Sequence, residues 1–478
     1  MRTTCKLILA FLLISSFTIA QDSLYIYKSG SLVTKRAIAD IDSVIFYNAN
    51  NTRNNILSVS ITGQIGSVKD SINRIYSIAM PANITLTNLA PTIIVSPGAT
   101  ISPASGQVVD FSKGNVTYTV TAENGSSVTW NIQVSTTLPL IAANNSSIQY
   151  IGRVNFSSPT TPVFSNPGVY IQTNFTGTFC DIYMQASTGN NYIEVVIDDK
   201  APVRYLLSTA RKTYRVADSL SEGVHKILIC KDTEAGVGYI TFLGFRCEGL
   251  SPVTDLPARK IECYGNSITC GACMLNGSPC VLVDNGTNWN AANCAYLSYG
   301  ALTARALNAQ WQITAVSGIG LVQSCCNMTY TMPDVYNLQD LGNLSSVKWN
   351  FTKYIPDVVT ICLGQNDGST IVASDTFKNT YINLVKNIRS KYANASIFLL
   401  TSPMADSSGS STCLFKVMQT YLASIVDSIN SAGDTKVYWV SLPHDQRGGC
   451  ASNPHPNVAQ HESIAAVLET AIKQKMGW

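Results

Sequence analysis

The pattern of hydrophobic residues changes near residue 258. Before it, apolar residues alternate with polar ones in short runs between Asn, Asp and Gly turns; after it, strand-like apolar runs alternate with helix-like segments. Because parallel strands need long crossovers, usually helices, this second pattern predicts a parallel sheet sandwiched by helices, an α/β fold. Ligands of such sheets bind at the carboxyl ends of the strands. Functional residues are therefore expected just after strands in the region 258–478.

Apolar runs and helical periodicity locate the elements of this α/β region. The strand-like runs lead into Ser267, Gly318 and Gly364 and pass through Ile397–Leu400 and Val437–Val440. The helical patterns cover Asn293–Leu307, Thr376–Lys391, Leu414–Ile429 and Val458–Lys473.

The remainder of the chain is predicted to form smaller, mostly β-structured parts. In the leader, Ser23–Gly30 and Ile41–Phe46 are expected to pair as a hairpin. The predicted domains are a signal peptide at 1–20, a β-hairpin leader at 21–55, an Ig-like β domain at 56–137, a jelly-roll β-sandwich at 141–250 and the α/β domain at 258–478.

The N-terminus has the three parts of a secretory signal. A basic start, Met1–Lys6, precedes an apolar run, Leu7–Phe17, and small residues end at Ala20. This pattern predicts export with cleavage near Ala20 and a secreted or periplasmic location. The apolar run is shorter than the ~20 residues that span a bilayer, so no membrane insertion is expected. The chain has a net charge of +3 and no basic cluster, so we do not expect it to bind nucleic acid.

Cysteines are numerous for a chain of this kind. Of the 14, cleavage would remove Cys5 and leave an odd number, so at least one free thiol or intermolecular bridge is expected, and Cys362 in a buried strand is our candidate for the free thiol. We expect Cys325 and Cys326 to bond to separate partners rather than to each other. A further group is predicted to form disulfides that pin a loop rather than to bind zinc: Cys270, Cys273, Cys280 and Cys294.

Polar residues with complementary chemistry follow the predicted strands. Ser267 comes after Gly265 at the end of the first strand, Gly364–Asp367 end another strand, and His455 opens the last helix. A hydroxyl, a base that titrates near neutrality and donors for an oxyanion are what acyl transfer requires. The sequence therefore predicts a nucleophilic site at the carboxyl edge of the sheet.

At these residues the chain resembles the SGNH, or GDSL-like, hydrolases. The four sequence blocks of that superfamily are matched by Gly265–Ser267, Ser317–Gly320, Gly364–Asp367 and His455–Asn457. The resemblance implies that Ser267 is the nucleophile and His455 its base. It implies oxyanion donors from the main chain of Ser267, the main chain of Gly318 and the side chain of Asn366, with no metal and no organic cofactor.

The preceding β-rich block, with Asn293–Gly300 and Met332–Tyr336, is more narrowly similar to carbohydrate esterase family 2. That resemblance implies removal of O-acetyl groups from plant-type polysaccharide such as xylan or mannan. Trp289 is a candidate platform for stacking a sugar. One alternative is an esterase for another acylated glycan, such as peptidoglycan or a host sugar. The other is a carbohydrate-binding protein with an inactive SGNH domain, which would have no need of the complete Ser267, Asn366 and His455 set.

Two departures from the SGNH pattern concern the site. Asn266 stands where the family usually has Asp, and we expect it to hold the turn before the nucleophile. No carboxylate occurs in Ser452–Pro454, where many members have the acid of a triad. We therefore expect a Ser–His dyad whose ring is oriented by a backbone carbonyl or by Asn453, with Asp445 as the alternative acid. His444 and His461 are expected to be structural.

Overall fold

The computed structural model describes residues 23–28, 30–41, 51–81, 84–136, 138–275, 289–408, 410–449 and 455–478. The predicted signal peptide lies outside these residues. The chain divides into two compact units, one of residues up to 59 with 93–105 and 118–130, the other of 60–92, 106–117 and 131–478. None of the described helices is long and apolar enough to cross a membrane.

The first described element is a hairpin of β1 (Ser23–Lys28) and β2 (Ser31–Ala37). The two strands are antiparallel, with Ser23 opposite Ala37. The first arm of the predicted hairpin pairs with β2 after a left-handed turn at Gly30. The predicted second arm, Ile41–Phe46, lies outside the described residues except for Ile41.

Short strands make up the next region, as expected from its turn-punctuated pattern. They are β3 (Ile56–Ser60), β4 (Gly66–Asp70), β5 (Ile75–Ala79), β6 (Thr92–Val95), β7 (Thr100–Ser102), β8 (Val116–Thr121) and β9 (Ser127–Ser135). In the larger unit, β4 is antiparallel to β5, and β5 is parallel to the last residues of β9. In the smaller unit, β7 is antiparallel to β8.

Two antiparallel sheets with a shared hydrophobic core form the following region. One has the order β10–β19–β14–β17 and the other β11–β13–β18–β15–β16, while β12 and β20 pair with β19 and β13. The strands are β10 (Ile141–Ala142), β11 (Gln149–Ile151), β12 (Val163–Phe164), β13 (Tyr170–Thr176), β14 (Cys180–Ala186), β15 (Tyr192–Ile197), β16 (Val203–Leu206), β17 (Lys212–Ala217), β18 (Val224–Lys231), β19 (Ile240–Arg246) and β20 (Gly249–Ser251).

The C-terminal region is a five-stranded parallel sheet of order β22–β21–β23–β24–β25. Its strands are β21 (Arg259–Gly265), β22 (Ala309–Ala315), β23 (Val358–Cys362), β24 (Ser396–Leu400) and β25 (Val437–Val440). Its helices are α1 (Ser267–Cys270), α2 (Tyr299–Ala306), α3 (Met332–Val335), α4 (Gly368–Val372), α5 (Asp375–Arg389), α6 (Leu414–Ser431) and α7 (Val458–Met476).

Helices cover both faces of this sheet, as the unbroken apolar strands predicted. In β23, Val359 and Ile361 join the core beneath α5 and α6, whereas Val358 and Cys362 join the core beneath α2 and α7. Cys362 is buried and carries a free thiol, as expected.

The helix predicted over Asn293–Leu307 is wrong in its first half. The chain there forms a short 3-10 turn, Ala295–Leu297, and α2 begins only at Tyr299. The guanidinium of Arg204 binds the carbonyl of Asn293 at 2.7 Å, and the N–H of Tyr296 donates to Asp232. These tertiary contacts hold the segment out of the helix that its periodicity favours.

A buried ion pair joins the two-sheet region to the parallel sheet. Arg153 donates to Glu262 in β21 at 3.1 Å, and neither side chain is exposed to solvent. Gln312 and Thr314 of the neighbouring strand each donate to the same carboxylate oxygen at 2.7 Å. Since a buried charge is costly without partners, this network requires both regions to be in place.

Candidate active site

Ser267 lies in a tight junction between β21 and α1. Asn266 is the N-cap of α1, and its side-chain oxygen accepts the N–H of Ile268 at 3.1 Å, so Asn holds the turn as expected. A Cβ on Gly265 would lie 2.0 Å from Oγ1 of Thr269, so this close approach requires glycine. The junction fixes the position of Ser267 at the end of the strand.

The register of the sheet brings three of the candidate segments to the same edge. Gly265 pairs with Ala315 in β22 and with Cys362 in β23, so the chain leaves all three strands at one level. Gly318 and Asn366 follow within a few residues. Gly318 has a φ of 80°, and the side-chain amide of Asn366 donates to the carbonyl of Ile319 at 2.8 Å.

His455 contacts the nucleophile candidate directly. Its Nε2 lies 2.8 Å from Oγ of Ser267, and both residues are buried. The main-chain oxygen of His455 accepts the N–H of Gly449, and α7 begins three residues later with Asn457 as its N-cap. Residues 188 positions apart thus form a hydroxyl–imidazole pair in which the ring can take the hydroxyl proton.

Asp445 belongs to a different group of residues. Its carboxylate accepts the hydroxyl of Ser407 at 2.5 Å and lies 3.0 Å from Nδ1 of His444. The Ser407 hydrogen bond is the main cause of a lowered pKa of this carboxyl. Asn453, the residue expected to orient His455, lies outside the described residues.

His461 is structural, as expected, but it packs close to the site. It is fully buried, its Nδ1 accepts the N–H of Tyr299 at 3.1 Å, and its ring stacks on that of Tyr299. Burial, with a smaller contribution from His455, lowers its pKa to about 3. The imidazole is therefore neutral at physiological pH.

Asp367 fixes the loop after Gly318, a role that the sequence reasoning missed. Its carboxylate accepts the main-chain N–H groups of Leu321, Val322 and Gln323 at distances of 2.7 to 3.2 Å. Burial raises its pKa, although these three donors act in the opposite direction. The signal was present in the Gly364–Asp367 block, where only Asn366 was singled out.

Cys325 and Cys326 form a disulfide with each other, so the expectation of separate partners is wrong. The loop brings this pair to the turn at Gly318: the N–H of Cys325 donates to the Gly318 carbonyl at 2.8 Å, and a Cβ on Gly318 would lie 3.0 Å from Sγ of Cys325. Cys326 itself has a φ of 62°, the left-handed conformation that lets the chain turn sharply there. The disulfide borders one of the candidate oxyanion donors.

The expected disulfides after the nucleophile are wrong for Cys270 and Cys294, which carry free thiols. Main-chain hydrogen bonds pin this loop instead: Cys294 N–H donates to Gly271 at 2.9 Å, and Met274 N–H donates to Ala292 at 2.9 Å. Cys280 and the side chain of Trp289 lie outside the described residues, so the sugar-stacking prediction for Trp289 stays a prediction.

One cluster has the residue types of a metal site. Glu194, Asp232 and Cys294 place ligand atoms within 4.8 Å of one another. The guanidinium of Arg204 lies among them, 3.1 Å from Glu194 and 2.6 Å from Asp232. Its other amino group binds the carbonyls of Ala291 and Asn293. The cluster is an ion-pair network that anchors the loop before α2.

Comparisons with known proteins agree with this arrangement. Residues 263–463 match the GDSL-like Lipase/Acylhydrolase family, residues 150–257 match the N-terminal region of carbohydrate esterase 2, and residues 56–134 match the family described as SGBP, N-terminal. The fold and the matched families define the class of the protein: it is a carboxylic ester hydrolase of the GDSL-like type.

Comparison with individual proteins and solved structures assigns the chain to a narrower family within this class. An acetylxylan esterase / glucomannan deacetylase of Cellvibrio japonicus is 30% identical, and the match covers 71% of this chain and 91% of that protein. Cellulase/esterase CelE of Acetivibrio thermocellus is 34% identical over 70% of this chain, which spans only 40% of CelE. A solved structure is also similar: a family two carbohydrate esterase from Clostridium thermocellum in complex with cellohexaose. Its sequence is 34% identical, the match covers 69% of this chain and 99% of that chain, and the TM-score is 0.62. The chain belongs to carbohydrate esterase family 2.

Proposed function

We propose that the protein is an exported serine esterase that removes O-acetyl groups from plant-type polysaccharide, xylan or mannan. The observation that carries the proposal is the 2.8 Å contact between His455 Nε2 and Ser267 Oγ at the carboxyl edge of the sheet. The polysaccharide substrate is supported by the names of the Cellvibrio relatives and by the cellohexaose bound in the similar Clostridium structure.

In the proposed reaction Ser267 Oγ attacks the acetyl carbonyl carbon while its proton passes to His455 Nε2. The main-chain N–H groups of Ser267 and Gly318 and the side chain of Asn366 stabilise the oxyanion. One amide hydrogen of Asn366 is donated to Ile319, which leaves the second for this purpose. The sugar oxygen leaves with the proton from His455, and acetyl-Ser267 remains.

Water completes the cycle. His455 takes a proton from a water molecule, which attacks the acetyl-Ser267 carbonyl, and the proton then returns to Ser267 as acetate departs. We propose that His455 works in a dyad, its ring oriented by a main-chain carbonyl or by Asn453. The placement of Asp445 against Ser407 and His444 supports this proposal.

Acetate release from acetylated xylan, acetylated glucomannan and O-acetylated peptidoglycan tests the function. We expect release from at least one of the plant polymers and a loss of about a thousandfold or more in Ser267→Ala, since covalent catalysis ends with its nucleophile. Ser463→Ala, which removes an exposed hydroxyl on α7, is the matched control and should retain full activity. Release from peptidoglycan alone favours another acylated glycan, and no release from any polymer favours a binding protein.

Export is a separate part of the proposal and has its own test. Expression in the native host, followed by fractionation and N-terminal sequencing, should find the protein outside the cytoplasm with Gln21 as its first residue. A cytoplasmic protein that retains Met1 would contradict the export proposal without affecting the esterase activity.

A further inference from the structure

Glu234 extends from the two-sheet region to the loops of the candidate active site. It is the third residue after the end of β18 and is buried, with 5% of its surface exposed. Its Oε1 lies 3.4 Å from the side-chain nitrogen of Asn293, which donates to it. The N–H and the hydroxyl of Ser317 also face this carboxylate, although neither forms a hydrogen bond of full geometry.

Asn293 links Glu234 to the loop that follows the nucleophile. Its side-chain oxygen accepts the N–H of Cys273 at 3.0 Å, and Cys273 lies just beyond the end of α1. Ser317 is adjacent to Gly318, one of the proposed oxyanion donors. The carboxylate therefore accepts a hydrogen bond from Asn293, which leads to the loop after Ser267, and faces Ser317 beside Gly318.

The charges around Glu234 determine when it is ionised. Burial raises its pKa to about 7, while Ser317 and the ammonium of Lys231 oppose this rise. Lys231 is held by the carbonyls of Thr233 and Glu234 and by the Thr233 hydroxyl, so its hydrogen bonds do not depend on the Glu234 side chain. Cys270 of α1 also faces Glu234, and burial keeps this thiol neutral. Asp232 and Asp340 act on Lys231 rather than on Glu234.

We propose that Glu234 is a positioning residue for ester hydrolysis: its ionised carboxylate, supplied by the β-structured region, holds the Ser317–Gly318 turn and the loop after Ser267 in their catalytic positions. The proposal rests on the proposed function, ester hydrolysis with Ser267 as the nucleophile. It adds to that mechanism a residue that does not touch the reacting atoms. It concerns kcat rather than substrate binding, because the oxyanion donors act on the transition state.

The charge requirement is tested by the ratio of parent kcat to Glu234→Gln kcat on an aryl acetate. At pH 8.5 the parent carboxylate is ionised, and we expect a ratio of about three to ten, with KM within about twofold. At pH 5.5 the parent carboxyl is protonated, and the ratio should approach one. Burial lowers the pKa of Lys231 to about 7, so its ammonium loses its proton over the same pH range as the Glu234 carboxyl. The additivity and hydrogen-exchange measurements below do not depend on either titration. A ratio that is the same at both pH values would overturn the proposal.

Three further variants separate positioning from general destabilisation. Glu234→Ala should lower kcat at pH 8.5 by more than Glu234→Gln does. Its effect should add only in part to that of Asn293→Ala, since the two residues share the contact between their side chains. Glu222→Gln, at an exposed glutamate of the same region, should match the parent. Full additivity of the Glu234 and Asn293 substitutions would contradict the shared path.

Hydrogen exchange provides a readout that does not depend on turnover. In Glu234→Ala, the amides of residues 267–275 and 315–320 should exchange faster than in the parent, while those of β24 should not change. Unchanged exchange in both segments would overturn the proposal. If the parent hydrolyses no aryl acetate, the proposed function fails, and exchange still decides whether Glu234 holds these loops.

Discussion

His461 should make the fold sensitive to acid by an amount that can be worked out. Its pKa is about 3 in the folded protein, against an ordinary value of 6.5. Between these values the unfolded chain takes up a proton that the folded protein does not, so the associated stability is present above pH 6.5 and is lost as the pH falls. Each pH unit below 6.5 removes about 1.4 kcal/mol, which gives about 2 kcal/mol at pH 5.

The substitution His461→Asn isolates this effect. Its side-chain oxygen can accept the Tyr299 N–H that Nδ1 now accepts, but it cannot be protonated. The variant should be less stable at pH 7.5, because a smaller side chain leaves a cavity. Between pH 7.5 and pH 5, however, it should lose about 2 kcal/mol less unfolding free energy than the parent.

Urea denaturation, followed by tryptophan fluorescence at both pH values, measures the difference. Ser463→Ala is the control, because it removes an exposed group of the same helix that does not titrate and should leave the parent pH dependence in place. Equal losses in the parent and in His461→Asn would refute the reasoning, since they would show that another group carries the acid sensitivity.

Asp445→Asn should change the turnover of an aryl acetate by less than about tenfold, whereas loss of a triad aspartate costs about ten-thousandfold. A collapse in steady-state turnover with an unchanged thermal melt would disprove the dyad. Asp367→Ala removes the acceptor of three main-chain N–H groups and should lower the free energy of unfolding in urea by about 3 kcal/mol; a loss below about 0.5 kcal/mol would show that water replaces the carboxylate. Gly265→Ala forces a Cβ against Thr269 and should cost about 1–3 kcal/mol by the same measurement, with reduced kcat; a parent-like denaturation midpoint would contradict the close approach.

The sequence was informative wherever a local pattern and the packing agree. The apolar runs before Ser267 and Gly364 are strands because both faces of a parallel sheet are buried. Since the ends of these strands lie in register, the residues that follow them could be placed at one edge of the sheet from the sequence alone. His455 could be paired with Ser267 only through the resemblance to a known family, since 188 residues separate them.

The errors arose where tertiary contacts override local preference. The residues before Tyr299 have helical periodicity, but Arg204 and Asp232 bind their main chain and prevent the helix. Glu234 gave no signal at all, because a glutamate after a strand looks like an ordinary surface residue. Its burial depends on a loop of the α/β region that is remote in sequence.

The ion pair between Arg153 and Glu262 bears on how this protein can be divided or recombined. The two matched family regions meet between residues 257 and 263, which invites a cut at that point for making fusions. Such a cut would leave Glu262 on the catalytic fragment, inside its sheet, without the only cation that it contacts among the described residues. The regions should therefore be transferred between proteins together, and an engineered chimera would need to supply an arginine at the equivalent place or replace Glu262 with an apolar residue.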